Sequence, residues 1–294
     1  MKRYSVIIPA FNEQDAIAKT IADLKSEFQK VGREAEIIVM DDGSDDATGE
    51  RASAAGAKTV RNPINSGYGF SLKRGLATAE NSDIVIIDAD ATYPISELGK
   101  LIKEYEKGYD MVVAQRTGKE YRRGMLKYPA RLAFTAIAEF AAGRRIPDIN
   151  SGYRIFRKEV AERHRDEISN GFSFTTTITL MAMLRGAFVT YVPVPYTPRV
   201  GISKVRHFRD TLRTLQLIVQ AIALYNPIKL FLLLSGCTTL VGVIGLLGAS
   251  FSFVGWIWLG SFLAAAFVIF GLGLVTEALS KLRMTTARNT YDRT

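Results

Sequence analysis

Along the first 115 or so residues, short apolar runs alternate with segments of helical period. Residues 4–8, 35–40, 84–87 and 111–114 are rich in Val and Ile, and such runs without alternating polar positions predict strands covered on both faces of a mostly parallel sheet. Helices are predicted between them. In 13–30 the apolar positions Ile17, Ile21, Leu24 and Phe28 fall on one face, and 45–55, 66–79 and 95–105 complete the set. Strands alternating with helices predict an α/β, doubly wound domain.

After residue 229 the pattern changes. Residues 230–276 are 47 consecutive positions without Asp, Glu, Lys or Arg. A hydrocarbon core needs about 20 apolar helical residues per crossing, so two crossings are predicted, 230–249 and 256–276, with a turn at 250–255 and Trp256 and Trp258 at an interface. Basic residues flank the outer ends (Arg213 and Lys229; Lys281, Arg283 and Arg288), and the turn has none. The positive-inside rule then predicts an integral, multi-pass protein with both termini and the folded domain in the cytoplasm. Met1 to Arg3 runs straight into a strand, so no signal peptide is expected.

Just before the first span, Val205, Phe208, Leu212, Leu215, Val219 and Ile222 form one helical stripe and Arg206, Arg209, Arg213 and Gln216 a neighbouring one. That composition predicts an interfacial amphipathic helix over 205–227, with 126–142 a weaker second example; packing on the sheet as ordinary surface helices is the alternative for both. The organisation expected is a domain over 1–204, the interfacial helix, two membrane helices within 228–279 and a cytoplasmic tail over 280–294. Small-residue faces at Gly242, Gly245 and Gly248, or at Gly271 and Gly273, permit close packing within a chain or in a homo-oligomer.

Charge narrows the partner. The chain carries 38 Lys and Arg against 29 Asp and Glu, formally +9, and two segments, 114–131 and 199–213, hold the whole excess. An anionic partner is expected at those patches. Nucleic acid would call for aromatic residues among the charges, and Tyr121, Tyr128 and Phe208 are there. Adjoining membrane spans make lipid phosphate the simpler anion, so no nucleic acid is expected. A single cysteine, Cys237, excludes an internal disulfide and a cysteine-built zinc site.

In open α/β sheets ligands bind beyond the carboxyl ends of the strands. Polar residues gather there: Pro9-Ala10-Phe11-Asn12-Glu13, Asp41-Asp42-Gly43-Ser44, Asp88-Ala89-Asp90 and Gln115-Arg116. Two carboxylate pairs at one edge repel unless a cation or polar ligand offsets them. Asp42 or Ser44 has an alternative use as a helix cap. Asp88 and Asp90, at alternate positions, can turn toward one ion, and a hard cation such as Mg²⁺ or Mn²⁺ takes such oxygens together with substrate phosphates. Gly67-Tyr68-Gly69 lacks the third glycine of a dinucleotide loop, a Walker loop is absent, and His164 and His207 lie among basic residues as solvated or interfacial side chains rather than catalytic bases.

The Pro9–Glu13, Asp41–Ser44 and Asp88–Asp90 stretches, followed by Asp148-Ile149-Asn150-Ser151-Gly152-Tyr153-Arg154 and Arg199-Val200-Gly201-Ile202-Ser203-Lys204, resemble in that order the family 2 glycosyltransferases. More narrowly the chain resembles the dolichyl-phosphate mannosyltransferase and polyprenyl-phosphate glycosyltransferase branch, over roughly residues 4–213. The resemblance implies a GT-A domain. It implies inverting, metal-dependent transfer of a hexose from a nucleotide diphosphate sugar, of the GDP-mannose or UDP-glucose type, to a polyprenyl (dolichyl or undecaprenyl) phosphate at the cytoplasmic membrane face. Position by position, Pro9, Phe11, Asn12, Glu13, Asp41 and Asp42 would hold the donor nucleoside, and Asp88 and Asp90 the divalent cation. Arg116, Arg131, Arg199, Ser203 and Lys204 would grip the acceptor phosphate, and Asp148 would touch the sugar or acceptor. Mannosyltransferases of this group often carry Gln where this chain has Thr92, and the Gln-x-x-Arg-Trp motif of the processive branch is missing. A membrane-tethered nucleotide-sugar sensor or scaffold without turnover is the alternative function.

Overall fold

The computed structural model describes the backbone of residues 2–118, 128–196, 207–249 and 251–291, and side chains over 2–118, 135–196, 215–249 and 251–282. The chain divides into two units, residues 1–215 and 216–294, with the division inside one helix.

The first unit is built on seven strands: β1 (Arg3–Ala10), β2 (Glu34–Asp41), β3 (Lys58–Arg61), β4 (Asp83–Ile86), β5 (Met111–Thr117), β6 (Arg154–Arg157) and β7 (Val189–Pro195). Their order in the sheet is β3-β2-β1-β4-β6-β5-β7, parallel except for β6, which is antiparallel to both neighbours. The helices are α1 (Ile17–Lys30), α2 (Thr48–Ala54), α3 (Tyr68–Thr78), α4 (Leu98–Tyr105, entered through a 3₁₀ turn at Ile95–Glu97), α5 (Tyr128–Ala142), α6 (Lys158–Glu162), α7 (Phe174–Leu184) and the beginning of α8 (His207–Tyr225).

Alternation along β1 explains the layers. Tyr4, Val6 and Ile8 pack with Ile17, Ile21, Leu24 and Phe28 of α1 and with Leu98, Leu101 and Ile102 of α4 on one face. Ile7, with Ile38 and Met40 of β2, packs on the other face with Leu72 and Leu76 of α3 and Phe174 and Ile178 of α7. The consecutive apolar residues Val6, Ile7 and Ile8 are thus buried on alternate faces, each such side chain contributing about 1.5–3 kcal/mol.

The predicted helix over 13–30 begins later, at Ile17, because Asn12 takes a left-handed conformation (φ 52°) and the Glu13 carbonyl accepts the Ala16 and Ile17 amides in a turn. Likewise the helix predicted over 45–55 starts at Thr48. Helix α7 has no exposed face, with ten of its eleven residues, four threonines among them, buried, so its sequence lacks a helical period.

The second unit holds the rest of α8, then α9 (Pro227–Gly248) and α10 (Phe253–Tyr291). Both α9 and α10 contain a stretch long and apolar enough to cross a membrane, with mean hydropathy of 2.3 and 2.2. They run antiparallel: a Cβ on Gly242 would lie 2.8 Å from Phe262, one on Gly273 would lie 2.5 Å from Phe231, and the Ser235 hydroxyl donates to the Ala266 carbonyl at 3.0 Å. Gly242 and Gly273 are thus spent on contact within the chain, whereas Gly248 and Gly271 have no neighbour at that range among the described residues. Leu233, Ile244, Trp256, Trp258, Phe267 and Val268 point outward. Helix α10 runs on past the uncharged stretch, helped by a Glu277–Lys281 pair one turn apart (3.2 Å), so most of the predicted tail is helical. Helix α8 occupies the predicted amphipathic segment, but the side chains of Arg206, Arg209 and Arg213 lie outside the described residues.

Candidate active site

Strands β1 to β4 are parallel, so Phe11, Asp42, Asn62 and Asp88 emerge at one edge of the sheet. The reversal at β6 has a consequence for the site. Because β6 runs against β4 and β5, its entry segment, residues 148–153, reaches the same edge as the exit of β5 at Arg116. A segment far along the sequence is thereby set against Asp88.

On the β1–β2 side the predicted donor residues are tied into their own loops. Pro9 lies within β1 opposite Met40. The Asn12 amide donates to Ser44 Oγ (3.0 Å), the Asp45 amide to Asn12 Oδ1 (2.8 Å) and the Glu13 amide to Thr48 Oγ1 (2.9 Å). Phe11, Asn12 and Glu13 are half-buried. Asp41 is fully buried; its Oδ1 accepts the Ser44 amide (2.9 Å) and its Oδ2 faces Arg61 Nη1 at 3.5 Å. Asp42 accepts from Asn62 Nδ2 (2.6 Å), the Ser66 amide (2.9 Å) and the Gly67 amide (2.9 Å). Its carboxylate therefore anchors the loop that leads into α3, and it does not cap α2, the helix that follows it in the chain.

On the β4 side, each carboxylate meets a hydroxyl. Tyr68 Oη donates to Asp88 Oδ1 at 2.9 Å, and Thr92 Oγ1 donates to Asp90 Oδ1 at 2.7 Å, with the Thr92 amide on the same oxygen at 3.2 Å. Asp90 and Thr92 are buried and Asp88 half-buried. Burial, then the negative charge of Asp88, pushes the Tyr68 hydroxyl well above its ordinary range, so it stays a donor. Gly152 lies directly against this carboxylate: a Cβ there would overlap Asp88 Oδ2 and come within 2.6 Å of Oδ1. The Gly152 amide donates to Tyr93 Oη (2.9 Å), and burial raises the Tyr93 hydroxyl too.

Beyond Gly152, Arg116 and Asp148 pair with each other. Arg116 Nε and Nη2 reach Asp148 Oδ2 and Oδ1, both at 2.8 Å, and the Arg116 amide adds a third bond at 3.0 Å. The guanidinium lies 5.4 Å from the Tyr196 ring centroid, a cation–π distance. Asp148 is buried. The two residues assigned separately to acceptor and substrate thus form one unit. Arg131, Arg199, Ser203 and Lys204 lie outside the described residues.

Three residues gain roles that spacing did not reveal. Arg154 is wholly buried and donates to the Ser151 carbonyl, the Thr175 carbonyl (3.1 Å) and Thr179 Oγ1 (3.0 Å), fastening the entry of β6 to α7; burial lowers its pKa. Tyr68, between the two glycines of the incomplete dinucleotide-type motif, reaches Asp88 instead. His164, expected to be solvated or interfacial, is buried, and its Nδ1 lies 2.9 Å from Glu167, a structural pairing three residues on.

Among the described residues no group of three or more His, Cys, Asp or Glu side chains converges on a metal position. Asp88 and Asp90 nevertheless suit Mg²⁺ or Mn²⁺, which bind through one or two carboxylates and complete the sphere with phosphate and water.

Comparison with known proteins fits this geometry. Residues 5–165 match the family model described as glycosyl transferase family 2. A dolichyl-phosphate hexose transferase of Haloferax volcanii is 30% identical over 205 residues, 69% of this chain and 87% of the relative. An undecaprenyl-phosphate 4-deoxy-4-formamido-L-arabinose transferase of Klebsiella pneumoniae is 26% identical over 71% of this chain and 64% of its own length. Among solved structures, glucosyl-3-phosphoglycerate synthase of Mycobacterium tuberculosis, crystallised with Mn²⁺, UDP-glucose and phosphoglyceric acid, superposes with a TM-score of 0.61 at 20% identity, over 75% of this chain and 79% of that one. That likeness concerns the fold, and the first unit has the predicted GT-A architecture. The sheet-edge constellation, the family match and the Haloferax relative lead to one conclusion: the chain is a glycosyltransferase belonging to glycosyl transferase family 2.

Proposed function

We propose that the protein transfers a hexose from a nucleotide diphosphate sugar to a polyprenyl phosphate, with inversion, at the cytoplasmic face of a membrane. The observation that carries this reading is that Gly152 packs directly on Asp88, one member of the acidic pair Asp88 and Asp90, at the same sheet edge as an oriented cation, Arg116 held by Asp148. The first suits a cation-bound diphosphate and the second an anionic acceptor. The polyprenyl-phosphate substrates in the names of the Haloferax and Klebsiella relatives support the acceptor class.

In this reading Pro9, Phe11, Asn12 and Glu13 line the donor's nucleoside end, while Asp41 and Asp42 shape it by anchoring the loops around it. Asp88 and Asp90 hold Mg²⁺ or Mn²⁺. When bound, the cation supplies a Lewis acid that offsets the charge of the departing diphosphate. An acceptor phosphate oxygen forms the new bond to the anomeric carbon as the bond to the diphosphate breaks. A phosphate monoester is already anionic near neutral pH, so no strong base is required, and His164 is engaged elsewhere. Arg116, oriented by Asp148, faces the acceptor phosphate, joined by Arg131, Arg199, Ser203 and Lys204. Helices α9 and α10 cross the membrane as a hairpin with both termini cytoplasmic, and the outward Trp256 and Trp258 suit its interface.

The test is to incubate membranes containing the protein with a panel of labelled nucleotide sugars and polyprenyl phosphate. Label from one donor is expected in the lipid extract, dependent on Mg²⁺ or Mn²⁺. Binding of a nucleotide sugar with no lipid-linked product from any donor would return the reading to a sensor or scaffold.

A further inference from the structure

The acidic pair needs more than acidity to bind a cation well. A carboxylate that swings freely loses entropy on each binding event, and groups behind the ligands commonly set their orientation; removing such a group typically costs 10–100-fold in metal affinity or activity. Thr92 serves Asp90 from two residues away in the same turn. Asp88 is met from a different element.

Tyr68 is the first residue of α3, and that end of the helix is fixed on several sides. The Ser66 and Gly67 amides are bound by Asp42 (both 2.9 Å), the Phe70 amide donates to the Asn170 carbonyl (2.9 Å), and Gly69 lies against the backbone of residues 169–171 with no room for a Cβ. The ring itself stacks on Phe172, with centroids 5.9 Å apart and planes 7° from parallel. A hydroxyl carried on so constrained a ring delivers its hydrogen bond to Asp88 Oδ1 without further loss of freedom.

Resting on the metal reading of Asp88 and Asp90, we propose that Tyr68 is a positioning residue for the cation site: through its hydroxyl it fixes the Asp88 carboxylate in the orientation that receives the metal. It also couples the two ends of the donor site, because the loop that seats its helix is the one anchored by Asp42. The reaction itself makes no use of its proton.

The test uses the purified full-length protein in detergent or nanodiscs and measures Mn²⁺ binding directly, by paramagnetic resonance of free against bound ion, without donor sugar. Tyr68→Phe keeps the ring and its stack on Phe172 and removes only the hydroxyl. It is expected to weaken Mn²⁺ binding about tenfold and to raise the Mn²⁺ concentration for half-maximal transfer by a similar factor, with kcat at saturating Mn²⁺ much less affected. Asp90→Ala, measured in parallel, is expected to lose binding altogether. If it does while Tyr68→Phe binds Mn²⁺ like the parent, the positioning role is wrong and the metal pair stands. If Asp90→Ala also binds like the parent, the metal reading fails and the Tyr68 assignment fails with it.

Discussion

Two pairs of aspartates stand at the same edge of one sheet, and they are put to opposite uses. Asp41 and Asp42 are consecutive, so their side chains diverge: one is enclosed beside Ser44 and Arg61, the other takes three donors at the entry to α3. Asp88 and Asp90 are separated by one residue and each is oriented by a hydroxyl, Tyr68 or Thr92, in a buried to half-buried setting. Neighbouring acids whose charge is spread over backbone amides are framework. Alternating acids steered by hydroxyls have the arrangement proposed above for a cation seat. The spacing of two acids, rather than their number, separates the cases.

The sharpest way to break this contrast is to remove one member of each pair. Asp90→Ala is expected to lower transfer by about 10³-fold or more, since a catalytic cation is worth several kcal/mol of transition-state stabilisation, while the melting temperature barely moves. Asp42→Ala is expected to do the reverse. Losing a charged acceptor shared by three partly buried donors should cost about 3 kcal/mol of stability and lower the melting temperature by roughly 6–12 °C, with kcat at low temperature falling far less than in Asp90→Ala. Calorimetry and lipid-extract assays on the same preparations read both. Equal loss of activity with no change in melting for the two variants would mean that both pairs contact substrate.

How much of this was legible beforehand follows the same logic of spacing. The runs that form β1, β2, β4 and β5, the face of α1, the spans of α3 and α4, the Asp88–Asp90 pair and the two apolar helices are all local patterns, visible within about twenty residues. Strand β6 was not legible because its four residues, Arg154 to Arg157, begin and end in arginine, and one of those arginines is buried by Ser151, Thr175 and Thr179 rather than exposed. Strand β7 carries two prolines, which suits an edge position and weakens its signal. The site's second half depends on β6: Arg116 and Asp148 are 32 positions apart, and only a reversed strand returns residues 148–152 to the active edge. Tyr68 is hidden for another reason: the glycines on either side of it resemble an incomplete dinucleotide loop, and its partner Asp88 lies 20 residues on.

Gly152 joins the two halves, and its substitution should produce a smaller, purely geometric defect. In Gly152→Ala the new methyl group must displace the Asp88 carboxylate or the β6 entry segment, because it overlaps Asp88 Oδ2. A displacement near 1 Å at a positioned group commonly costs about 10²-fold in rate. The expected signature is a kcat reduced by that order, with Mn²⁺ binding weakened as well, since both follow from moving Asp88. A variant that lost acceptor affinity alone would show that the segment yields instead and that Arg116–Asp148 is the softer side.

The smallest expected effect distinguishes the halves by pH. Tyr68, Tyr93 and Tyr153 have hydroxyls raised by burial, and all three belong to the β4–β6 side of the edge. In the unfolded chain a tyrosine titrates near about pH 10. As pH rises through that value the unfolded state releases these protons while the folded state keeps them, so the stability they contribute is complete below about pH 10 and declines above it, by up to about 1.4 kcal/mol per pH unit for each group. The Asp41–Asp42 loops place no tyrosine in their described hydrogen bonds and should follow only as the whole unit unfolds. Burial raises Tyr4 and Tyr105 away from the site as well, so the comparison is made with Tyr68→Phe: the tyrosinate absorbance that this variant lacks should appear in the parent only when circular dichroism shows the fold lost. Smooth titration of every tyrosine near pH 10 with the fold intact would mean that the Tyr68 hydroxyl is open to water, and the hydroxyl-steered pair would then be no more enclosed than an ordinary surface carboxylate.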